Sequence, residues 1–347
     1  MRRPAVKHIA IDLGGRESQV CIRNESGELL QEGKHPTAEI AAIFRQQKQK
    51  SRVIVETSAE AFKIADAALQ QGHEVRVVPA TLVKALGVGA RRTKTDQRDA
   101  QILSEVSCRI ELPSVHIPSL EARERRSLCT AREALVSSRT QLVNSVRGYL
   151  RTQLLRPATG KTETFARRVR KRMEKQPEGM PAMIERVLLA IEALNEQIAG
   201  ADEELEQIAE ADPICRRLMT VPGVGPVTSV RFVAAVDQIE RFATAHKVEA
   251  YLGLTPGENS SSERQQRTGI TKAGPPQLRR ALVQAAWSLW RTQPTDRNVV
   301  WALEVAKRRG KRVAIVALAR KLAGILFAMW RDGKDYDANH APKMPQA

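Results

Sequence analysis

Two short apolar runs, His8-Ile9-Ala10-Ile11 and Arg52-Val53-Ile54-Val55, each stop on a carboxylate, Asp12 and Glu56. Runs this short and this rich in β-branched residues read as buried strands, the first closed by the turn Gly14-Gly15. Gln19 to Arg23 and Glu28 to Glu32 follow the first run, with Asn24 to Gly27 as turn residues, which predicts an antiparallel meander. Thr37 stands where it can cap a helix running to about Lys50. A helix from about Ala59 to Gln71 stops at Gly72, and Glu74 to Pro79 returns as a strand. The order β-β-β-α-β-α-β, then a helix carrying Asp96 and Asp99, predicts a mixed α/β sheet.

The acids are what make this pattern more than a fold signal. Burying a carboxylate at the end of an apolar strand is costly unless a cation or hydrogen-bonding partner offsets it. In Lys94-Thr95-Asp96-Gln97-Arg98-Asp99-Ala100 two further acids stand at i and i+3, on one face of a helix. Four carboxylates from two strands and one helix suit a hard divalent ion, Mg2+ or Mn2+. Two such ions serve phosphodiester chemistry by activating a nucleophile and stabilising the leaving oxygen. The competing reading is structural, with the acids as helix caps or as ion-pair partners of Arg91, Arg92 or Lys94.

Composition narrows the partners. The net charge of +17 points to a polyanion. Aromatic residues make up only 4 % of the chain, which argues against a single-strand binder built on stacking platforms. With 347 residues, two or three domains are expected. Cys21, Cys108, Cys129 and Cys215 form no C-x-x-C pair, so neither a zinc site nor a disulfide framework is predicted, and a reducing cytoplasm fits. Met1-Arg2-Arg3-Pro4 leads straight into a strand pattern rather than a secretory signal. The longest apolar run, Val313 to Ala319, is bounded by Arg312 and Arg320 and is too short to span a bilayer, so no membrane partner is expected.

The middle of the chain reads as long helices. From about Glu121 to Arg151, Leu128, Leu135, Leu142 and Tyr149 recur every seven residues. Ile184, Val187, Ile191, Leu194, Ile198, Ala201, Leu205 and Ile208 form a second heptad series. Either an ordinary helix pair within one subunit or a coiled coil between subunits satisfies both. Between them lies Arg167-Arg168-Val169-Arg170-Lys171-Arg172, preceded by Arg151, Arg156 and Lys161. This cluster is either a nucleic-acid backbone contact or a solvated helix face.

In the last third, Leu218 to Thr228 contains Val221-Pro222-Gly223-Val224-Gly225-Pro226, the pattern of a helix-hairpin-helix or of a plain tight corner. A serine-rich stretch follows, Gly257-Glu258-Asn259-Ser260-Ser261-Ser262, then Gly269-Ile270-Thr271-Lys272-Ala273-Gly274 and Leu278-Arg279-Arg280. Alone it would be a polar linker. Val299 to Trp330 gives one or two amphipathic helices with Arg308 to Arg312 between them.

Ile11-Asp12-Leu13-Gly14, Val55-Glu56-Thr57-Ser58 and Lys94 to Ala100, with the C-terminal Gly253-Leu254-Thr255-Pro256 and Gly269 to Gly274 stretches, resemble the insertion-sequence one-ten family of transposases. The resemblance implies an RNase H-like (RuvC-like) N-terminal domain over 1–118 and long coiled-coil helices with the basic patch over 119–212. A mainly α C-terminal transposase domain with helix-hairpin-helix and serine loop follows over 213–335, and a tail over 336–347. It implies Asp12, Glu56, Asp96 and Asp99 as catalytic metal ligands and Ser261 as the nucleophile that attaches to DNA. Ser262 follows Ser261 where the family usually has glycine, so Ser260 and Ser262 stand as alternatives. Arg264, Arg267 and Lys272 would stabilise charge on the phosphate.

The implied function is a DNA transposase or recombinase that cleaves and rejoins strands through a covalent serine–DNA intermediate. Its partners would be double-stranded DNA, a structured guide RNA and further copies of the chain as dimer or tetramer, in the cytoplasm at the prokaryotic nucleoid. Two alternatives use the same features. One is a metal-dependent junction endonuclease with an inert serine loop, and the other a non-catalytic nucleic-acid scaffold.

Overall fold

The computed structural model describes residues 6–85, 96–177, 179–258 and 267–338, and the chain divides into two compact units, Met1–Pro118 and Ser119–Ala347.

In the first unit, β1 (Lys7–Asp12), β2 (Glu17–Arg23) and β3 (Leu29–Pro36) form the meander. After them come α1 (Ile40–Gln46), β4 (Ser51–Glu56), α2 (Ala61–Gln70), β5 (Glu74–Val78), α3 (Ala80–Ala85) and α4 (Asp96–Arg109). The sheet has five strands in the order β3-β2-β1-β4-β5, with β1–β2 and β2–β3 antiparallel and β1–β4 and β4–β5 parallel. A mixed α/β unit is therefore what the patterning produced.

The apolar runs are continuous because β1 and β4 are covered on both faces. Ile9, Ile11, Val53 and Val55 pack with Ile40, Phe44, Ile64 and Ala65 of α1 and α2. Ala10, Ile54 and Val78 face the other way, onto Leu103 of α4 and Leu112.

Two boundaries differ from expectation. β3 extends to Pro36 because it pairs with β2 down to Glu17, although its outer residues carry no apolar signal. Thr37 does not cap a long helix: its hydroxyl donates to the carbonyl of Gly14 at 2.7 Å, and a 3-10 turn leads into a seven-residue α1. The tie to the β1–β2 turn wins over the cap.

The second unit is helical. α5 (Leu120–Thr152) and α7 (Ala182–Ala211) pack on each other, with α6 (Phe165–Met173) between them in sequence. Ile184, Ile191, Ile198 and Leu205 are buried on α7, whereas their heptad partners Val187, Leu194 and Ala201 are half-buried. Val143, Val146 and Leu150 of α5 join Phe165, Val169, Met173, Leu188 and Ile191 in a separate small core.

A larger core gathers α8 (Pro213–Leu218), α9 (Pro226–Val236), α10 (Ala245–Tyr251), α11 (Pro276–Thr292), α12 (Arg297–Arg309) and α13 (Lys311–Asp332). The hairpin β6 (Pro256–Glu258) and β7 (Arg267–Ile270) lies between α10 and α11. α13 is long and apolar enough to cross a membrane. It serves instead as a core helix, burying Ile315, Leu318, Leu322, Leu326 and Phe327. Counting only the uninterrupted apolar run understated it, because single arginines and lysines at a helix surface do not break a helix.

Asp212 joins α7 to α8. Its carboxylate accepts from the amides of Ile214 (2.7 Å) and Cys215 (3.2 Å) and pairs with Arg125 of α5 at 2.6 Å. Burial opposes its ionisation, but the Arg125 bond and the two amides hold its pKa below the ordinary 3.8. A depressed carboxylate stabilises the fold above the unfolded-state pKa and ceases to do so as pH falls through the folded-state value. Wild type is therefore expected to lose stability more steeply below pH 3.8 than Asp212→Asn, which keeps the cap oxygen but not the charge. Urea midpoints measured across that acid range test it, and parallel curves refute the assignment.

Candidate active site

The end of β1 and the end of β4 are neighbours. The parallel register runs from Lys7↔Ser51 to Ile11↔Val55, so Asp12 and Glu56 follow the last pair one strand spacing apart, about 4.8 Å between backbones. Because side chains alternate along a strand, both acids fall on the face of Ala10 and Ile54, which is the face α4 covers. Asp99 lies one turn before Leu103, the α4 residue that packs on that face, and is only 4 % exposed. Asp12 and Glu56 are half-buried, so the desolvation that the sequence assigned to the strand ends falls mainly on Asp99.

Asp96 is the first residue of α4; its side chain lies outside the described residues. Among the described residues, no group of three or more His, Cys, Asp or Glu side chains is gathered tightly enough to hold a metal ion. The described residues set the Asp12 and Glu56 strand ends side by side and place Asp99 on the helix that covers their face, without drawing the three side chains into one cluster. An all-oxygen, all-carboxylate donor set is the chemistry of Mg2+ or Mn2+, so the residue types fit such an ion.

Sequence reading missed how α4 is fixed over the sheet. Ser107 bonds His8 Nδ1 at 2.8 Å, and Ser104 accepts from Arg23 Nε at 3.0 Å and meets Cys21 Sγ at 3.1 Å. Gln101 donates to Glu32 of β3 at 2.9 Å. Burial, then the nearby Arg52, keeps the His8 pKa low, so the ring stays neutral between sheet and helix. The only local sign was a helix with serines at i and i+3 on its buried side.

In the second unit, Ser260, Ser261, Ser262 and Arg264 lie outside the described residues, as does the side chain of Arg267. Their flanks are β6 and β7, which pair Pro256↔Ile270 and Glu258↔Arg267. The base of this hairpin is closely packed. Gly274 has φ +72°, and a Cβ there would lie 2.0 Å from the carbonyl oxygen of Tyr251. Arg279 donates to the carbonyls of Leu252 at 3.1 Å and Gly274 at 3.0 Å, so its charge is used in holding this base. Lys272, at φ 57°, is exposed beside it. Gly274→Ala is expected to cost about 3 kcal/mol, read as a lower melting temperature, while Gly15→Ala, which meets nothing within 4 Å, serves as the unaffected control.

The thiols offer no competing nucleophile at neutral pH. Burial, with the neighbouring Asp212, pushes Cys215 up to about 12, and burial also raises Cys21, Cys108 and Cys129.

Comparison with known proteins bears on both units. A family model described as "Transposase", for the DEDD type of IS110, matches residues 9–154, and one described as "Transposase IS116/IS110/IS902 family" matches residues 215–300. The transposase for insertion sequence element IS1111A of Coxiella burnetii is 34 % identical over 245 residues, covering 69 % of this chain and 67 % of that protein. The chain belongs to the IS110/IS116/IS902 family of transposases. Across nearly its whole length, 95 % of this chain and 98 % of the relative, it is also 26 % identical to the transposase for insertion sequence element IS1328 of Yersinia enterocolitica. The first family match contains Asp12, Glu56, Asp96 and Asp99, and the second contains the turn before α9 and the serine stretch. As a transposase of this family the chain acts in DNA transposition.

Proposed function

We propose that the chain is a DNA recombinase in which Asp12, Glu56, Asp96 and Asp99 hold divalent metal and Ser261 carries the broken strand. The observation that supports it best is the juxtaposition of Asp12 and Glu56 at neighbouring parallel strand ends, on the face that α4 covers with Asp99. The five-strand order and the covering helix are consistent with an RNase H-like unit. Bound there, Mg2+ or Mn2+ would supply charge stabilisation to the phosphate under attack.

The chain's own residues do the rest. The Ser261 hydroxyl attacks the scissile phosphorus, a phosphoserine ester forms, and the P–O bond to the leaving strand breaks with the hydroxyl proton ending on the leaving oxygen. Attack by a hydroxyl of the strand to be joined reverses the step and restores the serine. Lys272, Arg264 and Arg267 offer positive charge to the phosphate. A structured guide RNA and further copies of the chain complete the proposed assembly; the half-buried heptad column of α7 supports the latter. The tight turn between α8 and α9, with Gly223 at φ 92°, would approach DNA backbone in the manner of a helix-hairpin-helix.

Recombination with purified chain, Mg2+, element-end and target DNA and candidate flanking RNA, followed by denaturing gels for a protein–DNA adduct, tests this reading. Cleavage without any adduct under trapping conditions overturns the serine step. Full activity in EDTA overturns the metal.

A further inference from the structure

Where α5 ends, the chain leaves a second concave site that the chemistry above does not use. A cavity of about 440 Å3 opens between the last turns of α5, the loop 155–160 and the start of α6. Arg147, Arg151, Arg156 and Arg168 line it, and among the described residues no acidic one does. Four guanidinium groups around one concavity repel one another unless an anion lies among them. The volume is that of a small-molecule site and accommodates a nucleotide unit.

The site is built rather than incidental. Arg168 Nη1 donates to the Lys161 carbonyl at 2.8 Å and to Thr164 Oγ1 at 2.7 Å, while its Nε is buried with no hydrogen-bond partner among the described residues. Gly160 makes room for it, since a Cβ there would stand 2.1 Å from Nη1. Arg147 lies over the Phe165 ring, 5.5 Å from its centre. Arg170, from the same basic run, is spent differently: it pairs with Glu185 at 2.7 Å and Glu192 at 2.6 Å, clamping α6 to α7. Carboxylates within reach of this helix thus neutralise Arg170 and leave the cavity positive.

Leu154 precedes the lining residue Leu155 in the chain and does not itself line the cavity. Leu154 is 93 % exposed and adopts φ 56°, a left-handed conformation that costs a leucine of order 1 kcal/mol. An exposed apolar side chain next in sequence to a basic cavity wall has the chemistry of a contact to a ribose or base.

We propose that this cavity binds the phosphodiester backbone of a nucleic-acid strand, with Leu154 against the adjoining nucleoside. The proposal rests on the chain acting on nucleic acid, but binding is measured without cleavage, so failure of the catalytic assignment leaves the test intact. The full chain is titrated into a labelled DNA duplex and, separately, a labelled RNA hairpin, at several salt concentrations. Arg151 and Arg156 are exposed, so R151Q/R156Q is expected to melt like wild type. It should bind at least one probe about tenfold more weakly, with the slope of log affinity on log salt reduced by about two. Leu154→Ser should weaken binding without changing the slope. A loss confined to RNA identifies the strand as RNA, one confined to DNA identifies it as DNA, and a loss with both identifies a backbone site for either. Unchanged affinity and slope with both probes overturns the proposal. So does an equal loss in R167Q/K171Q, which removes exposed charge from α6 outside the cavity.

Discussion

Asp99→Asn is expected to lower DNA strand cleavage by at least about 100-fold, since even outer-shell changes weaken metal sites on the scale of 10–100-fold. The substitution keeps the size and one oxygen of the side chain and removes only its charge. Asp99 is 4 % exposed, so a neutral amide there is less costly to bury than a carboxylate. Thermal stability should therefore be unchanged or raised, and DNA affinity, which rests on the basic surface, should stay within about threefold. Cleavage assays alongside melting curves and DNA titrations separate the outcomes. Near-wild-type cleavage removes Asp99 from the catalytic set, whereas lost cleavage with lost stability makes its role structural. Asp12→Asn and Glu56→Gln should fall in the same class, and their half-buried positions make folding less sensitive to the change.

Ser261→Ala is expected to abolish the covalent protein–DNA adduct, a loss of at least about 10^4-fold in strand transfer, the scale on which removal of a catalytic nucleophile acts. Ser260→Ala and Ser262→Ala should retain the adduct. All three positions lie in sequence between β6 and β7, and Gly274 and Arg279 hold the described base of that hairpin, so the variants should fold alike. Peptide mapping of the trapped adduct reads the result directly. An adduct that survives Ser261→Ala and disappears in Ser260→Ala or Ser262→Ala moves the nucleophile by one residue. Cleavage that continues in all three, with no adduct, would falsify the serine mechanism and leave water as the nucleophile.

Much of the first unit was legible because its signals are local. Ile9 to Asp12 and Val53 to Glu56 announce strands by their β-branched runs, and Gly72, at φ 77°, ends α2 as the helix-stop pattern requires. Asp96 and Asp99 on a helix follow from spacing alone. The failures share one cause. Thr37 has the chemistry of a helix cap but is closer to Gly14, a neighbour 23 residues away that no local rule names. Arg170 has the look of a phosphate contact until Glu185 and Glu192 are brought beside it. Arg151, Arg156 and Arg168 were legible as one basic stretch, but that they close with Arg147 around a cavity at the end of α5 is set by the fold.

By itself the sequence determined the strands of the first unit's sheet, the acids at strand ends and the positive charge that calls for a polyanion. Only the tertiary structure decided that β1 and β4 are adjacent, which sets Asp12 beside Glu56 across 44 positions of chain, and that α4 covers the face both acids share. Periodicity and turn chemistry are fixed by neighbours along the chain. Strand order and the pairing of charges are fixed by which distant surfaces bury each other best, and that choice is made only when the whole unit folds.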